Sequence, residues 1–328
     1  MRAARLHGVG DLRLADEPEP AAGPGEELVR VTAVGICGSD LHWWDEAGIG
    51  DAVITRPLVL GHEAAGVIEA GPRRGTRVAI DPAITCGRCR PCLDGYRNLC
   101  LNIRFAGHGD QDGAMREFLA WPSDLLHPLP DSVTDTDGAL LEPLGVAIHA
   151  LDLGHVRLGA RVAVAGCGPI GLLLIAVLRA AGASHIAAFE PLPHRREAAL
   201  RYGADVCLRP DILPGDLREL VGEGAEVVFE MAGTSGAVTL SMAAVRSTAM
   251  SSSPIGPHPT TATRAPSRTC PRSRAWMATP SGSSSAPSVS VTLSGSGCSR
   301  SDGQASSSRM APSWSPCPAN RMLRHRLR

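Results

Sequence analysis

The sequence predicts an α/β protein in two parts, a β-rich part followed by an incomplete parallel-sheet part. Three observations carry that expectation. Over residues 1–34 short β-branched runs are broken by Pro and Gly, and the best of them is Leu28-Val29-Arg30-Val31-Thr32-Ala33-Val34. Further on, the apolar segments Arg161–Ala165 and His185–Phe189 flank a glycine-rich turn and an apolar run of helical length, the order of a βαβ unit. A third apolar strand is expected within Ala225–Gly233, followed by a helix over Gly236–Val245. At 328 residues the chain is long enough for two cores.

The formal net charge of −1 gives no general bias toward nucleic acid or membrane. The N-terminal residues run into a polar stretch, and the longest apolar run, Gly171–Leu178, is far too short to span a bilayer. A cytoplasmic protein with no membrane partner and no specific nucleic-acid partner is expected. Of ten cysteines, half lie in a metal-like pattern and the rest are scattered, which favours zinc over disulfides. There is no lysine, so every basic side chain is Arg.

The chemistry concentrates in Gly35-Ile36-Cys37-Gly38-Ser39-Asp40-Leu41-His42 and its echo Gly61-His62-Glu63. A thiolate, an imidazole and a carboxylate form a ligand set that tetrahedral zinc prefers. Cys37 and His62 are too far apart for one turn, so the fold must bring them together. That points to a catalytic site rather than a finger. Trp43 and Trp44 follow directly, either as packing or as a pocket wall. Pro57–Leu60 leads into Gly61–Ile68, which reads as a buried apolar strand that carries His62 and Glu63.

Cys86, Cys89 and Cys92 are spaced three residues apart, and Cys100 lies eight further on. Four thiolates this close can complete a tetrahedron and leave no position for water, a structural zinc site. Two disulfides or an iron–sulfur cluster are the alternatives. Adjacent cysteines at this spacing pair poorly as disulfides, which favours zinc.

Arg161–Ala165 leads into Gly166-Cys167-Gly168-Pro169-Ile170-Gly171 and an apolar helix over Leu172–Ala181. Glycines there permit a tight turn and close approach of backbone to a pyrophosphate, which a helix N-terminus stabilises. The next strand ends in Glu190, at the right distance to accept hydrogen bonds from the adenosine ribose and to repel a 2′-phosphate. Those residues predict a Rossmann unit that takes NAD in preference to NADP. Arg195 and Arg196 follow shortly and soften that preference.

The Cys37–His42 motif, Gly61-His62-Glu63-x-x-Gly66 and the four-cysteine lobe together resemble the zinc-containing medium-chain dehydrogenases. Within that family, Cys-Gly-Ser-Asp-Leu-His-Trp-Trp and Arg-Pro-Leu-Val-Leu-Gly-His-Glu are most similar to the sorbitol/L-iditol, or polyol, branch. The resemblance runs to about residue 245. It implies a GroES-like catalytic domain over 1–140, with the structural zinc lobe at 86–100, and the first part of a Rossmann domain over 141–246. It further implies oxidation of a small polyol or other secondary alcohol by NAD, with catalytic zinc on Cys37, His62 and either Glu63 or Glu142. Glu142 lies in a segment, Asp137–Ala150, that reads as one helix entering the second domain. Ser39 would relay the hydroxyl proton toward His42, and Asp40 would orient His62. A homodimer or homotetramer is expected. An L-threonine or L-idonate type of dehydrogenase shares every motif, and a non-catalytic zinc-binding remnant with a disordered basic tail is a further reading.

After Arg246 the character changes. Residues 247–328 are about a quarter Ser, show no sustained period, and carry ten arginines against a single acid, Asp302. The preceding residues carry 22 arginines against 32 acids. Either a disordered polyanion-binding appendage or a shifted reading frame accounts for this. Codon logic favours the shift. Met250 is ATG, and with TCN codons at Ser251–Ser253 the frame opening on each third base reads Val and then two apolar residues. Without the expected continuation, the sheet is expected to have an open edge and uncovered apolar faces.

Overall fold

The computed structural model describes residues 1–50, 52–211, 224–244 and 290–293. In chain order the first half contains β1 (Arg2–Gly8), β2 (Asp11–Asp16), β3 (Glu26–Val34), α1 (Gly38–Glu46), β4 (Gly48–Ile49), β5 (Ala52–Val53) and β6 (Leu58–Val59). It continues through β7 (Ala64–Ile68), β8 (Arg77–Ile80), β9 (Ala83–Ile84), α2 (Arg90–Leu93), β10 (Arg104–Phe105), β11 (Phe118–Pro122) and β12 (Leu126–Pro128). Helices α3 (Asp135–Ala139) and α4 (Leu141–Leu153) lead into the second half. There follow β13 (Arg161–Ala165), α5 (Pro169–Ala180), β14 (His185–Phe189), α6 (Pro193–Arg201), β15 (Val206–Leu208), β16 (Val227–Glu230), α7 (Ser235–Ala244) and β17 (Ser290–Leu293).

The first half is built on an antiparallel sheet in the order β11-β3-β7-β8-β12. Val29, Ile68, Val78, Leu119 and Trp121 fill its core. A smaller sheet, β2-β1-β6, packs Leu6 and Leu58 with Trp43 and Leu60. Trp43 is therefore core, at 1% exposure, which decides for packing over a pocket wall. Packing against Leu6 and Leu58 removes its whole ring from water.

In the second half β15, β14, β13 and β16 lie parallel in that order, the topology expected of βαβ units. Ala147 of α4 and Leu174 and Leu178 of α5 pack on one face, with Val162, Val164 and Ile186. Ala244 of α7 and Ala225 cover the other face, over Ala163, Ala165, Ala187 and Val228. Both faces of β13, β14 and β16 are buried, which is why these strands read as unbroken apolar runs, whereas β15 is half-buried.

The structure departs from expectation in three places. Asp137–Ala150 is two helices that meet at Leu140, with Thr134 Oγ1 accepting the N–H of Asp137 at the start of α3. Pro143 explains the break, since it has no N–H to donate to the carbonyl four residues back. Gly61, His62 and Glu63 lie between β6 and β7 rather than inside a strand. Gly61 has φ +90, and a side chain there would meet Met115 Cγ at 2.9 Å, so the chain turns sharply at this point. The open edge of β16 is paired by β17, which runs antiparallel to it from Ser290↔Glu230 to Leu293↔Val227. The rest of the tail, including the expected disorder, and Val245 at the end of the expected helix lie outside the described residues.

Candidate active site

Cys37 ends the segment delivered by β3 and caps α1 from an extended conformation. Asp40, in the first turn, returns to accept the Cys37 N–H at 2.8 Å, closing a capping box. Its other oxygen accepts the N–H of Gly61 at 3.2 Å. One buried carboxylate thus ties the Cys37 segment to the His62 segment. Nδ1 of His62 is 3.9 Å from Asp40 Oδ1, beyond a hydrogen bond, so Asp40 positions the backbones of the ligand segments. Asp40 is expected from the sequence to orient His62, and here its hydrogen bonds act on the backbone of the His62 segment rather than on the imidazole.

The side-chain donors of Cys37, His62 and Glu63 all lie within 4.8 Å of one another, and all three residues are buried. Glu63 is clamped from its backbone, where its carbonyl accepts the Gly35 N–H at 2.7 Å. Its side chain fills the space over Gly35, where an added Cβ would come within 2.1 Å of Oε2. The ring of Phe105 leans on His62 at 5.3 Å.

Burial penalises every charge here. It pushes the Cys37 thiol up to about 11, with the Ser39 hydroxyl hydrogen bond opposing. Burial and then Asp40 raise the Glu63 carboxyl to about 7, while burial lowers His62. Glu142, at the start of α4, is raised to about 7 by burial and then by Glu63, Asp81 and Asp40. Its carboxylate feels the charge of Glu63 and is not among the three converging donors. A thiol and several carboxyls gathered out of water fit a bound divalent cation, which lets them ionise together.

Ser39 touches the Cys37 thiol. His42 points outward, with Nδ1 3.1 Å from Glu46 Oε1 one turn on. Trp43 stacks edge-on against His108, at 5.2 Å between ring centres. Burial and the neighbouring His62 hold His108 below its ordinary value. Neither the Asp40–Gly61 bond nor the place of His108 was signalled by the sequence motifs, since both depend on a long-range contact.

The second cluster is formed by Cys86, Cys89, Cys92 and Cys100, whose sulfurs also lie within 4.8 Å of one another. Cys89 is 3.4 Å from Cys92 and 3.9 Å from Cys100. The edge of a zinc–thiolate tetrahedron is about 3.8 Å. All four cysteines are free thiols rather than disulfides. Backbone N–H groups of Arg88 and Cys89 pull Cys86 down to about 6, and the N–H groups of Cys86 and Asn102 point at Cys100 Sγ. Such donors favour thiolate, the form a zinc ion takes.

In the second half, Gly166 turns at φ +101, Gly168 caps α5, and Pro169 and Ile170 open the helix. Gly171 lies over the turn so closely that a Cβ would stand 2.0 Å from the Gly166 carbonyl oxygen. The N-terminus of α5 is thus laid against the turn, the arrangement a pyrophosphate needs. Glu190 is 3% exposed. Its Oε2 accepts the Cys167 N–H at 2.9 Å and its Oε1 the Leu192 N–H at 3.0 Å. Arg195 is exposed on α6, whereas Arg196 is tied back to the carbonyls of Glu190 and Pro191.

Residues 23–131 match the alcohol dehydrogenase GroES-like domain, and residues 169–262 match the zinc-binding dehydrogenase domain. The chain is 39% identical over 253 residues to the sorbitol dehydrogenase of Macaca fascicularis, covering 74% of this chain and 71% of that one. It is 36% identical over 255 residues to the sorbitol dehydrogenase of Bacillus subtilis (strain 168), covering 75% and 72%. Among solved structures, 2R,3R-butanediol dehydrogenase from Bacillus subtilis superposes with a TM-score of 0.68 at 32% identity, over 75% of each chain. The chain belongs to the zinc-dependent alcohol dehydrogenase family. Within it the chain falls in the polyol dehydrogenase branch, whose members are oxidoreductases. Among the described residues no helix is long and apolar enough to cross a membrane.

Proposed function

We propose that this chain oxidises a polyol or another small secondary alcohol to the ketone, using NAD. The observation that carries the reading is the convergence of three buried donors, Cys37, His62 and Glu63, beside the Ser39 hydroxyl. A zinc ion held by Cys37, His62 and Glu63 would supply a Lewis acid that lowers the pKa of an alcohol hydroxyl. A nicotinamide ring held by the second half would supply the hydride acceptor.

The rest falls to this chain's own side chains. Ser39, already bonded to a ligand thiol, is placed to accept the hydroxyl proton of the alcohol, and the outward-facing His42 is the nearby group that meets solvent. Phe105 buttresses His62 and gives the alcohol an apolar neighbour. Glu63 completes the ligand set, and Glu142 adds negative charge just beyond it. Gly166, Gly168, Pro169, Ile170 and Gly171 hold the pyrophosphate at the start of α5, and Glu190 takes the ribose. The exposed Arg195 leaves room for some use of NADP. Cys86, Cys89, Cys92 and Cys100 hold a second, structural zinc.

Free thiols at every described cysteine fit a reducing compartment such as the cytoplasm. Association into a dimer or tetramer follows the resemblance and is read by light scattering. The test of activity is absorbance at 340 nm from zinc-loaded chain with NAD and a panel of sorbitol, xylitol, butanediol, L-threonine and L-idonate. Reduction by the polyols supports the reading. Reduction by L-threonine or L-idonate alone moves the chain to a sister activity. Silence from a zinc-loaded, NAD-binding chain makes it a zinc-binding remnant.

A further inference from the structure

Two thiols outside the metal sites face each other in the second half. Cys167 is fully buried between Gly166 and Gly168, and Cys207 is the half-buried middle residue of β15. Their sulfurs are 4.0 Å apart. A disulfide requires about 2.05 Å, so the sulfurs must approach by about 2 Å. The strand β15 has three residues and, among the described residues, pairs with β14 alone at the end of the sheet, so it is the side better able to yield. The glycine turn is closely packed, since a Cβ on Gly171 would stand 2.0 Å from the Gly166 carbonyl oxygen, and has less room to move.

Glu190 links the two segments. Its carboxylate accepts the N–H of Cys167 at 2.9 Å, and its own N–H donates at 2.9 Å to the carbonyl of Leu208, the residue after Cys207. Drawing Cys207 toward Cys167 therefore strains the bond that seats Glu190 on β15. It shifts the one buried acid at the end of β14.

We propose that Cys167 and Cys207 are a redox pair that a hydroperoxide closes to a disulfide, and that closure weakens dinucleotide binding. The second half of the proposal rests on the reading of Glu190 and the glycine turn as the NAD site. The hydrogen bond from Cys167 holds the Cys207 thiol below its usual range, while the same bond and burial raise Cys167. Cys207, more acidic and better exposed, reacts first. Its thiolate breaks the O–O bond of the peroxide, forms an S–O bond as a sulfenic acid, and releases hydroxide, which is protonated to water. The Cys167 sulfur then attacks the sulfenic sulfur, and the displaced hydroxyl leaves as water with the Cys167 proton. In sum, two thiols lose two electrons and two protons, and one hydrogen peroxide becomes two waters.

The test uses the zinc-loaded full chain treated with hydrogen peroxide, capped with N-ethylmaleimide and digested with trypsin without reduction. Cleavage after Arg places Cys167 in peptide 162–179 and Cys207 in peptide 202–218, each with a single cysteine. The expected result is a cross-link between these two peptides as the dominant species. It is reversed by dithiothreitol and absent from Cys207→Ser, with zinc content unchanged. Equilibrium dialysis should show NAD affinity at least tenfold weaker in the cross-linked protein than in the reduced one. Recovery of both cysteines in capped form, or cross-linking to other cysteines as often as to each other, overturns the pair. A cross-link that leaves NAD affinity unchanged overturns the switch. If the cross-link forms but the reduced chain binds no NAD, the thiol pair stands and the nucleotide reading falls.

Discussion

Asp40 accepts the backbone N–H of Gly61 across 21 residues of chain, at 3.2 Å, while its other oxygen holds the N–H of Cys37. The residue is 3% exposed, so neither bond is shared with bulk water. Asp40 is the clasp between the two segments that deliver the catalytic ligands.

Asp40→Asn keeps the shape of the side chain but leaves one oxygen for two backbone donors. One buried N–H loses its partner, at a cost of about 1–3 kcal/mol. Zinc affinity at the Cys37 site is expected to fall about 10–100-fold, the usual effect of losing such support. Competition with a colorimetric chelator reads the affinity, and the four-cysteine lobe should keep its zinc.

Gly35→Ala tests the packing of Glu63. The new methyl group would stand 2.1 Å from Oε2, closer than any contact tolerates, so the carboxylate must leave its position. Turnover and the zinc of the buried site are expected to fall together. An unchanged metal content and rate would show that Glu63 is not needed where the structure puts it.

Arg5 joins the end of β2 to the loop before β11 by donating to Glu17 at 2.7 and 2.8 Å and to Asp112 at 2.9 and 3.1 Å. The hydrogen bond from Arg5 holds the Glu17 carboxyl below its ordinary value of 4.5. A lowered acid pKa adds stability that is fully present above the ordinary value and is lost as pH falls through the lowered one. Arg5→Met should therefore lower stability near neutral pH by roughly 1–2 kcal/mol for these partly exposed groups, read as a lower thermal midpoint. The gap from wild type should close in acid. A gap that persists at low pH would assign the loss to packing instead.

The sheet of the second half bears on the tail. Among the described residues four strands run parallel, and β17, from the Ser- and Arg-rich stretch, runs antiparallel. We infer that residues 247–328 come from a shifted reading frame. Sequencing the codons from Val245 to Ser253 and reading all three frames tests this. Another frame that continues into alternating apolar strands and helices is the expected result. Confirmed bases with only the present frame open would make the tail genuine.

The motifs that survive compression into a few residues were legible in the sequence. The Cys86–Cys100 lobe is local, so its spacing alone shows four converging sulfurs. The strand–glycine–helix order at 161–181 likewise defines its own geometry. What depends on distant parts of the chain was not legible. Trp43 looks the same in sequence whether it lines a pocket or fills the space against Leu6 and Leu58. Asp40 gives no sign that its partner is Gly61. Cys207 acquires meaning only because β15 lies beside β14 and brings it up to the glycine turn. Pro143 sits in an apolar run that reads as continuous helix, although its missing N–H separates α3 from α4.

The most direct test counts zinc and turnover together in wild type, Cys37→Ala and Cys89→Ala. Metal is measured by mass spectrometry of the dialysed proteins and turnover by NADH formed from sorbitol. Two zinc ions per wild-type chain are expected, falling to one in Cys37→Ala with turnover abolished and the fold retained. Cys89→Ala should also fall to one zinc, with a lower thermal midpoint. A Cys37→Ala protein that keeps two zinc ions, or that still reduces NAD at the wild-type rate, would contradict the assignment of Cys37, His62 and Glu63 as the catalytic metal site.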